Sequence, residues 1–145
     1  MNQYIDQIFY YKHAVCSGIC TPQEAALWAE HFFDSSSTIE EWMISLVGAQ
    51  NVNDVTDALD PLLLDLTPDE VWKRLKNLLK TGVEDKKINA LTALFYAEDY
   101  ATEGDDGDII TLLYDYEGFQ KGYSNEESIE EIDAEVLLFL KREPE

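Results

Sequence analysis

Acidic side chains are the residues of this chain most able to do chemistry. Between Glu98 and Glu117 there are eight acidic residues and no basic one, with tyrosines among them. Carboxylates can bind a metal ion, act as general acids and bases, or attract a cationic partner. The candidate residues are Asp99, Tyr100, Glu103, Asp105, Asp106, Asp108, Tyr114, Asp115, Tyr116 and Glu117.

The spacing of these acids does not match a calcium loop of the EF-hand type. Such a loop needs oxygen ligands at alternating positions, glycine at the sixth and glutamate at the twelfth. A loop that began at Asp99 would have Gly104 in place, but Ala101 at the third position and Ile110 at the twelfth. A weak, irregular cation site stays open beside the alternative of a solvated loop. Its ligands would be Glu103, Asp105, Asp106 and Asp108.

Sequence motifs of known enzyme classes are missing. The chain has no Gly-x-Ser-x-Gly, no phosphate-cradling glycine loop and no zincin spacing. His13 and His31 lie beside aromatic residues, which is more typical of interface or core-edge histidines than of catalytic bases. In a chain with thirty acids, one carboxylate pair says little about acid–base catalysis. We therefore expect no enzyme, no catalytic residue, no cofactor and no metal.

The net charge restricts the kind of partner. A formal charge of −20 over 145 residues repels phosphate, so we expect neither nucleic acid nor a membrane surface as partner. Tyrosines beside carboxylates suit an interface that meets lysine and arginine, although they could equally pack at the edge of the core. We expect an immunity protein or inhibitor whose acidic, tyrosine-rich face binds a basic toxin or nuclease. The alternative is a structural or adaptor domain whose acidity serves solubility.

The two cysteines indicate a reducing compartment. Cys16 and Cys20 are too few for a disulfide framework and match no common zinc spacing. No secretion signal precedes them, and the longest apolar runs are far shorter than a membrane span. We expect a cytoplasmic protein with free thiols. The oligomeric state is left open.

Helix signals recur along the chain. Thr21 and Thr67 are each followed by proline and then, at the third position, by glutamate, which predicts two capped helices that carry a tryptophan. Ser37 begins a similar pattern. Gly18 and Gly82 should end helices, and one should falter near Pro61. With a length typical of one domain, these signals predict an all-α fold of about seven or eight short helices over residues 1–145.

The elements that carry the acids are harder to assign. Residues 102–108 combine glycines with acids and predict a turn or mobile loop. Residues 109–116 are apolar, and we favour a helix over a strand because no convincing partner strand is present. A glycine-containing loop is expected over 117–123. A last helix should follow, capped by Ser124 or Asn125 and apolar on one side.

Three segments between Trp72 and Tyr116 resemble a known family. They are a tryptophan-led helix, Phe95-Tyr96-Ala97-Glu98-Asp99-Tyr100, and the stretch from Ile109 to Tyr116. Together they are similar to domain-of-unknown-function family 2247, bacterial proteins with a Tyr-Ala-Asp-x-Asp-Tyr-Pro-like segment. The present chain has Ala101 where that pattern has proline, and it inserts a glycine-rich acidic stretch. The resemblance implies a bacterial helical domain and assigns no catalytic residue.

Overall fold

The computed structural model describes residues 2–35, 38–121 and 129–142. Those ranges contain eight α-helices, one 3₁₀-helix and no strand, so the predicted all-α fold is confirmed. None of these helices combines the length and apolarity that crossing a membrane requires. The helices are α1 (Ile5–Ser17), α2 (Pro22–Ser35), α3 (Glu41–Val47), α4 (Val52–Leu59), the 3₁₀-helix (Asp60–Leu63), α5 (Pro68–Glu84), α6 (Ala90–Glu98), α7 (Asp105–Lys121) and α8 (Ile129–Lys141).

The helices form two compact units along the chain. Unit 1 comprises Met1–Leu66, where α2 packs on α3, and both α1 and α3 pack on α4. Unit 2 comprises Thr67–Glu145, where α8 packs on α5, α6 and α7. The expectation of one domain over residues 1–145 stays a prediction. All the acids of the candidate site belong to unit 2.

The two threonine caps are confirmed. The Thr67 hydroxyl accepts the Glu70 N–H at 3.2 Å, and the Glu70 carboxylate accepts the Thr67 N–H at 3.3 Å. Thr21 and Glu24 make the same reciprocal pair at the start of α2. Each capping box satisfies two backbone donors that the first turn of a helix leaves without a partner. Local sequence therefore fixes where α2 and α5 begin.

Two other helix boundaries also follow from local sequence. Gly18 ends α1 in the left-handed conformation, with φ of 88°, as predicted. Helix α4 ends at Leu59, and the chain continues as the 3₁₀-helix that contains Pro61. This change of geometry agrees with the expected break. The third helix exists, but its N-cap is Glu40. Ser37, the predicted start of its capping box, lies outside the described residues.

The end of α5 differs from the prediction. Gly82 was expected to stop this helix, but α5 continues to Glu84. Gly82 is buried inside the helix, and the chain turns at Lys86, whose φ is 59°. The Gly82 carbonyl accepts the Lys87 N–H at 2.9 Å, and the Val83 carbonyl accepts the Lys86 N–H at 3.1 Å. This is a Schellman ending with lysine at the position that usually holds glycine.

Lys86→Gly should stabilise the protein by about 0.5–1 kcal/mol, because glycine adopts positive φ without the Cβ clash that lysine suffers there. Thermal and urea denaturation would measure the change. Lys87→Gly is the matched control, since it removes the same exposed side chain one residue later, where φ is not positive. Equal effects of the two substitutions would contradict the assignment of the helix ending to Lys86.

An aromatic cluster packs against the core of unit 1. Trp28 stacks on Tyr11 with ring centroids 4.6 Å apart, and Trp42 lies 5.6 Å from Trp28. Phe32 packs edge-on against Trp28 at 5.3 Å. His13 is buried in the same unit, where burial and the charge of Lys12 lower its pKa to about 3. His13 is therefore a neutral core residue at physiological pH.

Candidate functional site

The acidic segment enters a helix earlier than predicted. Residues 102–108 were expected to form a turn or mobile loop, but α7 begins at Asp105. The Thr102 carbonyl accepts the N–H groups of Asp105 and Asp106, and Gly104 makes the turn with φ of 101°. Three acids in the first turn interact favourably with the positive end of the helix dipole. This electrostatic gain, together with the position of Gly104 outside the helix, explains why residues 105–108 are helical and do not form the predicted loop.

The remainder of α7 combines one confirmed prediction and one correction. Residues 109–116 are helical, as favoured over a strand. The loop expected over 117–123 is wrong for residues 117–121, because α7 continues through Gly118 to Lys121. A single glycine costs a helix only about 1 kcal/mol, which the packing of α7 on α6 and α8 can offset. Residues 122–128, including the predicted caps Ser124 and Asn125, lie outside the described residues.

The inward side of α7 contains an ion-pair network centred on Asp105. The Trp72 Nε1–H donates to one Asp105 carboxylate oxygen at 2.7 Å, and the Lys76 Nζ lies 3.4 Å from the same oxygen. The Lys76 ammonium also donates to the Arg142 carbonyl at 2.7 Å. It sits 5.7 Å from the Trp72 ring centroid, within cation–π range. Lys76 is only 4% exposed, so these partners replace its water shell.

Arg142 completes this network from the end of α8. Its guanidinium donates to Asp105 at 2.7 Å and to Asp108 at 2.6 Å, and it lies over the Phe139 ring at 5.1 Å. Trp72, Lys76, Asp105, Asp108 and Arg142 therefore join α5, α7 and α8. We call this set the Asp105 network.

The two charged partners shift each other's protonation. Burial acts to raise the pKa of Asp105, but hydrogen bonds from Trp72 and Arg142 and the charge of Lys76 outweigh it, so the pKa lies below its usual value. Hydrogen bonds to Asp108 and Asp105 raise the pKa of Arg142. Both groups are charged at neutral pH. Asp105 therefore contributes to the fold, and much of its charge is neutralised within the protein.

Tyr116 is likewise part of the fold. Its side chain is only 4% exposed, and its hydroxyl donates to Asp133 on α8. Burial and this hydrogen bond raise the pKa of Tyr116 well above its usual value. The expectation that Tyr116 anchors a partner does not fit its buried position, because an anchor must be accessible before binding.

The outer face of α7 is the accessible part of the candidate site. We define the α7 outer face as Asp106, Ile110, Tyr114 and Glu117, which are spaced by four, four and three residues and are all exposed. Tyr114 is 67% exposed and Ile110 is 48% exposed. Residues with this spacing lie on one side of a helix. The face spans about 16 Å at 1.5 Å per residue and has an acid at each end.

The other four predicted residues lie before α7 or within it. Asp99 follows α6 and is exposed, and Glu103 is exposed just before α7 begins. Tyr100 is half-buried, and its ring centroid lies 5.3 Å from that of Tyr96. Asp115 is half-buried on α7. Asp108 is exposed as well, although Arg142 already neutralises much of its charge.

Metal binding finds no support in the placement of these acids. Across the described ranges, His, Cys, Asp and Glu side chains do not gather in groups of three or more that could hold an ion. The carboxylates of Asp105 and Asp108 both accept hydrogen bonds from the Arg142 guanidinium, and Asp106 is exposed. Cys16 and Cys20 are free thiols, and Cys20 is buried.

Three important residues were missed by sequence reasoning. Ile110 belongs to the α7 outer face, and a helical register that started at Asp105 would have found it, four residues from both Asp106 and Tyr114. Lys76 and Arg142 hold Asp105 from 29 and 37 residues away. No local pattern signals such pairs, because they depend on how α5, α7 and α8 pack.

Comparisons of the chain with family models, curated proteins and solved structures found no match. The resemblance to domain-of-unknown-function family 2247 therefore stays a prediction. Among the described residues, the exposed side chains of α7 provide the clearest surface for a partner.

Proposed function

We propose that this chain is a small acidic binding protein of the bacterial cytoplasm, an immunity protein or inhibitor that neutralises a basic toxin or nuclease through the α7 outer face. One observation carries the proposal. Tyr114, a large aromatic side chain that is 67% exposed, lies between two exposed acids on one face of a helix.

The arrangement resembles the organisation of specific protein interfaces. Binding energy concentrates in a few central aromatic or apolar residues, while a polar rim excludes water around them. Tyr114 and Ile110 would provide the centre, and Asp106 and Glu117 the rim. Tyrosine suits this role because its rigid ring offers contact area with little loss of conformational entropy. Asp99 and Glu103 would extend the rim beyond the helix.

Charge favours a basic partner and a fast encounter. A net charge of −20 attracts cationic surfaces over several ångströms and raises the association rate at low salt. Surfaces that bind nucleic acid are rich in lysine and arginine because they neutralise phosphates. An acidic helix face carries negative charge, as phosphates do, and therefore attracts the same lysine- and arginine-rich surface. A toxin that cleaves nucleic acid is therefore the class of partner that fits.

The test is capture of the partner on the immobilised full chain, from a lysate of the organism that encodes it. We expect a basic protein to be retained at about 50 mM salt, where charges are screened less than at physiological ionic strength, and to be released as the salt concentration rises. The double variant Asp106→Lys/Glu117→Lys should abolish retention, because it repels lysine and arginine at both ends of the face.

The control is Glu30→Lys/Asp57→Lys, which makes the same change in net charge at exposed helix positions of unit 1. This variant should keep the partner. Circular dichroism should show that both variants fold, since Asp106→Lys opposes the helix dipole by up to about 1 kcal/mol. The proposal fails if no basic protein is retained, or if the two double variants lose it equally.

A second candidate function has some support in exposed apolar residues elsewhere in unit 2. Leu138 on α8 is 69% exposed and Phe95 on α6 is 57% exposed. A structural or adaptor domain would use such residues to bind an apolar partner, and its acids would serve solubility. The affinity for an apolar partner would change little with salt concentration. Binding through the α7 outer face should weaken strongly as the salt concentration rises.

A further inference from the structure

A basic groove lies between α5 and α8 in this otherwise acidic chain. Its volume is about 550 Å³, within the range typical of small-molecule sites. Among the described residues, six of the ten Lys and Arg residues of the chain line it, together with one acid, Glu70. The basic residues are Lys73, Arg74, Lys76, Lys80, Lys141 and Arg142.

Part of this positive charge is neutralised by ion pairs within the protein. Lys76 and Arg142 belong to the Asp105 network, and Lys141 lies 3.8 Å from Glu84. Among the described residues, Lys73 and Lys80 form no ion pair. They stand seven residues apart on α5, which places them on the same side of the helix and about 10 Å apart along it. Within the part of the chain that the structure describes, the groove therefore has two lysines outside any ion pair, at two positions along its length.

The surroundings restrict what could bind there. The net charge of −20 opposes the approach of any long polyanion, so nucleic acid would be repelled outside the groove. A compact anion experiences less of this repulsion than a polyanion, because charges farther from it than a Debye length of about 10 Å are screened. Lysine ammonium groups act as point charges that bind phosphate, and the exposed amide of Asn77 can add a hydrogen bond.

We propose that the groove between α5 and α8 binds a small molecule that carries two or more phosphate groups, held mainly by Lys73 and Lys80. Two phosphates of a short chain can reach both lysines at once. The site is separate in its residues from the α7 outer face, so this inference does not depend on the proposed function.

Isothermal titration of the full chain with sodium tripolyphosphate at about 50 mM salt tests the proposal. We expect saturable binding, and a loss of about tenfold or more in affinity for Lys73→Gln/Lys80→Gln, which corresponds to about 1.4 kcal/mol. Lys86→Gln/Lys87→Gln removes the same charge outside the groove and should bind as the wild type does. Thermal melting should show that both variants are folded.

Two further ligands define the chemistry. ATP tests whether the ligand is a nucleotide or an inorganic polyphosphate. If ATP binds more tightly than tripolyphosphate, and if Lys73→Gln/Lys80→Gln loses this binding, the ligand is a nucleotide, which belongs to the proposed class. Citrate at matched ionic strength tests for general anion binding. Absence of saturable tripolyphosphate binding, equal losses in the two lysine variants, or equal affinity for citrate would each overturn the proposal.

Discussion

Asp105→Ala should lower the free energy of unfolding of unit 2 by about 2–3 kcal/mol, less than the roughly 3–5 kcal/mol of a fully buried ion pair because the Asp105 side chain is 21% exposed. The Asp105 carboxylate accepts hydrogen bonds from Trp72 and Arg142 and lies 3.4 Å from the Lys76 ammonium. Without it, Lys76 stays buried with less compensation for its charge. The Trp72 Nε1–H also loses its acceptor. Urea denaturation, followed by NMR signals of unit 2, would measure the loss.

The neighbouring acid provides a matched control. Asp106→Ala removes the same side chain from the first turn of α7, but at an exposed position, so it should cost about 1 kcal/mol or less. Asp105→Asn should fall between the two alanine variants, because its amide oxygen can still accept from Trp72 while its charge is lost. Similar stabilities for Asp105→Ala and Asp106→Ala would contradict the role given to the Asp105 network.

The same network should make stability depend on pH in a defined direction. The folded protein lowers the pKa of Asp105, so its contribution is complete above the unfolded pKa of about 3.9. That contribution is lost as the pH falls through the folded pKa. Asp105→Ala should therefore reduce the difference in stability between about pH 6 and pH 3.

Tyr114→Ala should weaken binding to the basic partner by about 30-fold or more, equivalent to the roughly 2 kcal/mol of an interface hot spot. The stability of the free protein should change by only about 0.5 kcal/mol, because the Tyr114 side chain is 67% exposed and buries little apolar area. Surface plasmon resonance on the captured partner would give the affinity. Most of the loss should appear in the dissociation rate.

Phe33→Ala is the control for Tyr114→Ala. Phe33 is also an exposed aromatic residue on an acidic helix, with 44% exposure on α2. Its removal should leave affinity unchanged. Tyr114→Phe separates the ring from the hydroxyl, and we expect it to keep most of the affinity because the ring supplies the contact area. An unchanged affinity for Tyr114→Ala would remove Tyr114 from the interface.

Much of the fold follows from local sequence. The Thr21 and Thr67 caps and the Gly18 stop are set by interactions within a few residues, so the pattern of residue types predicts them. The end of α5 was missed because Lys86 adopts a conformation that glycine usually supplies. The start of α7 was missed because glycines suggested a loop, while acids at a helix N-terminus stabilise a helix.

The candidate site was predicted in part, and the reason lies in the helix register. Residues 98–117 were selected for their charge, which does not distinguish the two sides of a helix. Once α7 is placed, Asp105 and Tyr116 lie on buried sides, where Trp72 and Asp133 contact them. Tyr114 and Asp106 lie on the exposed side, together with Ile110. The contacts that decide this division join residues 17 and 33 positions apart, and no local pattern contains them.

The most direct test of the central claim is NMR mapping of the labelled full chain with its captured basic partner. If the α7 outer face binds, the amide signals of Asp106, Ile110, Tyr114 and Glu117 should shift or broaden most, and raising the salt should reverse the change. Perturbations confined to unit 1, to the groove between α5 and α8, or to the exposed apolar residues Phe95 and Leu138 would contradict the claim.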